Sequence, residues 1–520
     1  MQPKSDPTGL AGGSQVLVQN ALLTIISQSL PLVVGFLVTP FILGRLGKEG
    51  FGALSLGWTI LTLSLVFNFG LGRATTKYAA DYLGMGQLDR LPTLFWLSVL
   101  LNLVFGLVGT VLVGAGSVFL VAGHILPVPE PLARDVSWMF LALAFALPFT
   151  FVTTTMRGLL EAGQHFRGMS VVRLVFNTAV FALPALALLF TSSLAIVGLA
   201  LTASRAVEMI VYSWLCLRRY SSLLWPWRVS TRQLRPLLVY GGWLTVTNML
   251  LPLILSMDRF IIGALISVEA VAFYSLPTDL VTRLAIIPAS TVVPLFPAFA
   301  ALNESGDRAR LVMLYLRSMK HVTVAMGLVA ASVIVMAEPF LQVWVGREFA
   351  RESAFVMQIA AVSILVNSIG FLPSTVLQAV GFPDLTAKAH LVETPIAVAA
   401  MWYLTRKYGI AGTAVAWGLR VLLDTIILTA MTGSMGYLTR DGIRNSRLRM
   451  TVALVAGLVA AAWGLSFLQG FAIRTGAFLL LVITWAALVL AWALDHDETQ
   501  WLRDLPRLFW SRLKESHAPK

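Results

Sequence analysis

Charge is scarce in this sequence. Only 12% of the 520 residues are Asp, Glu, Lys or Arg, while 58% are hydrophobic and the mean hydropathy is +0.81. A soluble domain usually carries about 25% charged residues, so half that supply excludes a soluble surface of this size. Cysteine is scarcer still. Cys216 stands alone, which excludes an intrachain disulfide. Motifs for nucleotide-driven or metal-dependent chemistry are also missing. "GRLGKEG" at 44–50 has the residue types of a phosphate-binding loop but lacks the four-residue gap and the GK[ST] ending. HExxH, CxxC and GxSxG do not occur. Loops between apolar runs stay within about 20 residues, so no sizeable soluble domain is inserted. These absences argue against a single-chain ATP-driven pump and against an enzyme. They leave no catalytic residue, cofactor or metal to assign.

What is present is apolar sequence in long windows. About fourteen runs, from residue 16 to residue 494, are each long enough to span ~30 Å of hydrocarbon as a helix. The ~10-residue alternating segments of a membrane barrel are absent. The first run, 16–43, is too long for the core of a cleavable signal and lacks a small-residue cleavage site, so it is expected to remain as the first span. The fold class is therefore an all-α polytopic membrane protein.

The net charge of +13 is a topology signal before it is a partner signal. Of the 38 Lys and Arg residues, 26 fall in one set: the N-terminus, the even-numbered loops and the C-terminus. Basic residues concentrate on the cytoplasmic side, so both termini are expected there. Nucleic acid is not an expected partner. Two basic segments with tryptophan, 223–236 and 501–514, have the mixture that settles flat in the headgroup layer.

An internal repeat organises the chain. "LPLVVGFLVTPFILGRLGKEGFGALSL" (30–56) parallels "LPLILSMDRFIIGALISVEAVAFYSL" (251–276), with shared LPL openings, SL closings and FILG against FIIG. Six spans separate the copies. Six is even, so the repeat is parallel, and substrate sites in such folds lie between the halves near the midplane. The reading gives an N-terminal lobe of six helices at 1–225 and a C-terminal lobe of six at 226–440. Two further helices and an amphipathic tail occupy 441–520.

Ionisable residues inside spans are costly and mark function by default. Arg205 and Glu208 stand at i,i+3; Asp279 and Arg283 at i,i+4; Arg420 and Asp424 at i,i+4. Such spacings place both members on one helix face, so each pair can neutralise itself or contact a substrate or ion. Asp258 and Arg259 are adjacent and point about 100° apart, so each needs another partner. Where they stand, the first half reads Thr39-Pro40. His390 and Glu393, at i,i+3, could relay protons or bind a cation. Gly106, Gly109, Gly114 and Gly116 suggest close helix approach in the third span.

Several stretches together resemble a known family. They are "LGRLGKEGFGALSLGW" (43–58), "FNFGLGRATTKYAADYLG" (67–84), "MDRFIIGALISVEAVAFYSL" (257–276), "IIPASTVVPLFPAFAAL" (286–302) and the "GFPDLTAKAHLVETPIAVAAMWYLTRKYGIAGTAVAWGL" run (381–419). Their order and spacing over residues 16–436 resemble the polysaccharide transporter branch of the MOP superfamily, the Wzx-type O-antigen and exopolysaccharide flippases. The resemblance implies a MATE-like V of two six-helix lobes in the bacterial cytoplasmic (inner) membrane. It also implies alternating access, driven by an ion gradient or membrane potential. The expected cargo is an undecaprenyl-diphosphate-linked oligosaccharide moved to the outer leaflet, with membrane lipids, a polysaccharide polymerase and glycosyltransferases as partners. On that reading Arg283, Arg259, Arg205 and Arg420 are the candidate substrate contacts, since guanidinium matches phosphate oxygens. Asp258, Asp279, Glu208, Glu393 and Asp424 are the candidate ion-coupling or gating carboxylates. A cation-coupled multidrug antiporter of the MATE type is the alternative, although a cation site would favour carboxylates and aromatic walls over buried arginine. A membrane glycosyltransferase or polymerase would need a large acidic outer loop, which the chain lacks.

Overall fold

Pro148 sits in the middle of a long apolar helix and removes a backbone N–H from it, leaving the carbonyl of Ala144 without its usual donor. Hydrocarbon offers no water to replace that donor. The Thr110 hydroxyl of the facing helix lies 2.9 Å from the Ala144 carbonyl and 2.9 Å from its own Gly106 carbonyl, and its proton serves them. The two helices can come this close because Gly106 lacks a side chain: a Cβ there would lie 2.5 Å from Pro148 Cα.

That contact lies within an all-helical chain. The computed structural model describes residues 9–66, 71–123, 125–163, 165–224, 257–493 and 498, and no strand occurs among them. The helices are α1 (Gly9–Val66), α2 (Leu71–Gly84), α3 (Leu91–Ala122), α4 (Glu130–Ala162), α5 (Phe166–Phe190), α6 (Leu194–Arg219) and α7 (257–265). They continue as α8 (Val268–Thr282), α9 (Ile286–Glu304), α10 (Arg308–Val345), α11 (Arg347–Ala379), α12 (Pro383–Ser434), α13 (Arg440–Asn445), α14 (Leu448–Ser466) and α15 (Phe471–Leu488). Eleven helices among the described residues are long and apolar enough to cross a membrane. Two of them double back at a glycine, α1 at Gly47 (φ 69°) and α12 at Gly409 (φ 61°), where a side chain would resist the left-handed backbone. Counting each arm separately gives thirteen crossings among the described residues. Of the expected seventh span, 237–266, residues 237–256 lie outside the described residues. So do the expected interfacial segments, apart from 223 and 224, and the expected lobe boundary at 225/226.

The chain forms two compact units, residues 1–272 and 273–520. In the first, α4 packs against both α3 and α6. In the second, α11 packs against both α10 and α12. This is the same neighbour order at the spacing of the internal repeat, with the third, fourth and sixth spans matched by the ninth, tenth and twelfth. Outward positions are apolar, as lipid requires: Val111, Leu112 and Phe119 on α3 and Phe190 on α5 are exposed. Buried hydroxyls fold back onto their own helices, as Thr75 does onto Leu71 and Thr150 onto Ala146.

Two charged ties fasten the last helices to α10. Arg474 at the start of α15 is buried and lies 3.0 Å from Glu338. At the other end of α10, the fully buried Lys320 pairs with Glu498 and donates to the Ala493 carbonyl at 3.3 Å. Eighteen residues of helix separate the two α10 positions, ~27 Å, close to the thickness of a bilayer core. α14 lies against α10 as well.

The α3 glycines are not equivalent. A Cβ at Gly109 would meet Leu147 at 3.3 Å and one at Gly114 would meet Leu141 at 3.5 Å, whereas Gly116 faces open space. Gly106→Val is therefore expected to lower the melting temperature of the detergent-solubilised protein, by overpacking of about 1–3 kcal/mol. Gly116→Val should leave it unchanged. Equal shifts in both variants would refute the close approach at Pro148.

Candidate functional site

The turn at Gly409 sets two arms of α12 side by side. Near the turn, the hydroxyls of Thr405 and Thr413 are hydrogen-bonded at 2.8 Å. Further along, the arms bring four ionisable residues together. Arg420 Nη1 donates to Glu393 Oε1 at 3.1 Å. His390 Nδ1 lies 3.1 Å from the same Glu393 oxygen and 3.4 Å from Asp424 Oδ1. The four stand 11 to 19 residues from Gly409, ~17–28 Å of helix, which places them within the hydrocarbon layer.

The surroundings are apolar and tight. Glu393 is 1% exposed and Arg420 8% exposed. Ala389 and Leu428, one from each arm, pack with Leu377 of α11 in a small apolar cluster. Inside this cage three polar atoms, Glu393 Oε2, Arg420 Nε and Asp424 Oδ1, have no hydrogen-bond partner. Buried polar groups are nearly always satisfied, so the three atoms leave the cluster with spare hydrogen-bonding capacity. Ligand atoms of His390, Glu393 and Asp424 all lie within 4.8 Å of one another, a spacing that a small cation can bridge.

The pairing differs from the one expected from spacing alone. Arg420 and Asp424 share a helix, yet the bridge of Arg420 runs across the hairpin to Glu393, and Asp424 faces His390. The reason is geometric. A carboxylate on the facing arm lies directly beside the guanidinium, and hydrocarbon rewards the shortest charge-to-charge path.

The other expected residues are placed as follows. Arg205 and Glu208 form the within-helix pair on α6, at 2.5 Å. Arg259 reaches across to α1, where its Nη1 lies 3.1 Å from Thr59 Oγ1, and its own backbone N–H donates to Asp258 Oδ1 at 2.8 Å. Asp279 is half-buried near the end of α8, and Arg283, also half-buried, opens a short 3₁₀ turn that links α8 to α9. Of the expected site residues, the α12 hairpin brings together Glu393, Arg420 and Asp424.

Sequence reasoning missed one feature of the first unit. A cavity of about 290 Å³ is walled by residues that include Ile60, Gly109, Leu112, Gly116, Phe140 and Phe260. Ile60 and Phe260 directly follow Thr59 and Arg259 in sequence, whereas Thr59 and Arg259 themselves are not among its walls.

Breaking a buried ion pair by removing one partner costs about 3–5 kcal/mol, because a charge is stranded. Glu393→Gln should therefore lower the melting temperature markedly. Adding Arg420→Met to that variant should restore much of the loss. A double variant as unstable as the sum of the two singles would mean that the charges are not coupled.

Comparison with known proteins adds the family. Residues 17–303 match the family described as polysaccharide biosynthesis protein. A Shigella flexneri protein named as an O-antigen transporter is 22% identical over 418 residues, covering 79% of this chain and 96% of that protein. Among solved structures, an inward-facing multidrug resistance MATE family transporter of the MOP superfamily superposes with a TM-score of 0.66. It is 16% identical, and the match covers 80% of this chain and 98% of that one. The lipid II flippase MurJ in an inward closed conformation gives a TM-score of 0.63 at 10% identity, over 90% of this chain and 98% of the other. These likenesses establish a shared fold. With the family match spanning more than half of its length, this multi-pass membrane chain belongs to the polysaccharide biosynthesis protein family.

Proposed function

We propose that the chain flips a polyprenyl-diphosphate-linked oligosaccharide from the cytoplasmic to the outer leaflet of the bacterial cytoplasmic membrane, by alternating access. Such a molecule has an apolar tail, an anionic diphosphate and a polar glycan. The observation that carries the reading is the bond in the first unit between Arg259 and Thr59, in the same unit as an apolar cavity walled in part by their sequence neighbours Phe260 and Ile60. A guanidinium suits the phosphate oxygens through paired N–H donors, and the cavity suits hydrocarbon. The Shigella relative, matched over nearly its whole length, supports the glycan as cargo. Arg205, Arg283 and Arg420 are further candidate contacts for the anionic head. A polymerase and glycosyltransferases would act before and after this step.

The α12 cluster is the candidate coupling site. Glu393 and Asp424 carry two negative charges and Arg420 one positive, so with neutral His390 the cluster holds one net negative charge. A proton or a monovalent cation brings it to zero, whereas a divalent ion overshoots beside a guanidinium 3.1 Å away from Glu393. Energy from an ion gradient or the membrane potential would enter there as charge binds and leaves with the change of access. Asp258, Asp279 and Glu208 are assigned to gating or to secondary coupling.

Deleting the gene and extracting lipids tests the cargo. Lipid-linked glycan should accumulate on the cytoplasmic side and surface polymer should be lost. Unchanged surface glycan with new drug sensitivity would instead support a cation exporter. In complementation, Arg283→Ala, Asp258→Ala and Asp424→Asn should each fail to restore surface polymer although membrane levels of the protein stay normal. Full rescue by all three would remove these residues from the mechanism.

A further inference from the structure

A group of charged side chains joins α4, α5 and α6 in the first unit. Arg157 and Glu161 belong to α4, Arg173 to α5, and Arg205, Glu208 and Tyr212 to α6. Tyr212 is fully buried, and its hydroxyl donates to the Met169 carbonyl of α5 at 3.4 Å. Arg157, Arg173, Glu161 and Glu208 all lie close enough to act electrostatically on its phenol. One residue before Arg157, Met156 packs against α6: its sulfur lies 3.3 Å from Ser213 Oγ and its carbonyl 3.5 Å from Cys216 Sγ. One residue after, Gly158 admits α2, since a Cβ there would lie 2.5 Å from the Gly72 carbonyl. Packing on both sides thus fixes the backbone that presents Arg157.

Pairing within the group leaves one cation over. Arg205 pairs with Glu208 along α6. Glu161 stands one turn from Arg157 on α4, where an i,i+4 pair could form, yet it pairs with Arg173 of α5 at 3.7 Å. Three guanidinium groups therefore share two carboxylates. Arg157 makes no hydrogen bond or ion pair among the described residues. The Nε atoms of Arg157 and Arg173 are both buried without a hydrogen-bond partner. Among the acids of residues 1–272, Asp6 alone lies outside the described residues, and the stretch 225–256 contains none. Arg157 and Arg173 are both partly exposed, so a ligand can reach them.

Depth gives the group a direction. Arg157 lies five residues before the end of α4 and Arg173 seven residues after the start of α5, ~8 and ~11 Å along the helix axes. The charge bias assigns both of these helix ends to the cytoplasmic side. Arg205 lies fourteen residues before the end of α6, ~21 Å in, near the middle of its span. Both α4 and α5 pack against α6. The arginines therefore form two levels, one near the headgroups and one near the midplane.

We propose that Arg157 and Arg173 form the entry site for the diphosphate of the lipid-linked cargo, at the cytoplasmic boundary and one level before Arg205. The ligand class is a prenyl diphosphate, whose anionic oxygens meet guanidinium N–H groups in pairs. Glu161 holds Arg173 at a long distance and competes with the incoming anion. The assignment rests on the flippase reading for its ligand, and adds the place where that ligand is first held.

The test uses purified full-length protein in detergent, titrated with farnesyl diphosphate, farnesol, inorganic pyrophosphate and short-chain phosphatidylglycerol. Farnesyl diphosphate should bind, and each of the other three should bind at least tenfold more weakly. Arg157→Gln should lose at least tenfold in farnesyl diphosphate affinity with an unchanged melting temperature. Arg157→Lys, which keeps the charge but not the paired donors, should recover part of the loss. Glu161→Gln should tighten binding at least twofold, a gain that damage to the fold cannot produce. Arg134→Gln, at the opposite end of α4, should bind as the parent does. Absence of farnesyl diphosphate binding, or equal binding of any other probe, would overturn the ligand assignment. Parent-like affinity in Arg157→Gln would overturn the location, and weaker binding in Glu161→Gln would overturn the shared grip of the two arginines. Gene deletion separates this site from the cargo reading. Loss of surface polymer with parent-like binding by Arg157→Gln would remove the entry site and leave the flippase. Unchanged surface polymer with binding that depends on Arg157 would remove the flippase and leave a prenyl-diphosphate site.

Discussion

A carbonyl freed by Pro148 and a guanidinium buried at position 420 face one constraint: neither finds water inside hydrocarbon. Each must be met by a partner from the protein, and the partners come from other helices. Thr110 serves the carbonyl of Ala144 from α3, and Glu393 serves Arg420 from the facing arm of α12. The same demand pins α15 to α10 through Arg474 and Glu338, and the end of the last span through Lys320 and Glu498. Apolar packing alone cannot choose among helix neighbours when lipid is as apolar as leucine. Polar satisfaction can, and it selects these neighbours.

This distinction explains what could be read from the residues before the structure was known. Features that depend on one helix were legible. The Arg205–Glu208 pair follows from i,i+3 spacing, and the all-helical, multi-pass class follows from apolar window length. The need of Arg259 for a distant partner follows from its being adjacent to Asp258, but the identity of that partner, Thr59, does not. The bridge between Glu393 and Arg420 depends on where α12 turns. Gly409 in "RKYGIAG" marks that place, and folding the sequence there would have brought 393 and 390 level with 425 and 428, about a helical turn from 420 and 424. The cavities were not legible, because they are made by what neighbouring side chains leave unfilled.

The α12 hairpin concentrates four ionisable groups between two packed helical arms. Four ionisable groups in an apolar cage are expensive, and a purely structural solution would pair them completely. Here Glu393 Oε2 and one guanidinium N–H have no hydrogen-bond partner, and Asp424 Oδ1 has only the 3.4 Å approach of His390. If these groups only held the hairpin closed, hydrophobic residues of similar volume would hold it as well or better. An arrangement with spare acceptors makes sense when the missing partner comes and goes.

Charge distribution links the two ends of this argument. Arginines outside the spans gather on one side and fix orientation, and those inside are each restrained by a named group or helix turn. Arg308 belongs to neither category. It lies at the start of α10, exposed, with its guanidinium against the Met435 carbonyl and the Tyr437 ring. A surface arginine that served only to bias topology would need no such support, since its charge acts through the field and its position hardly matters.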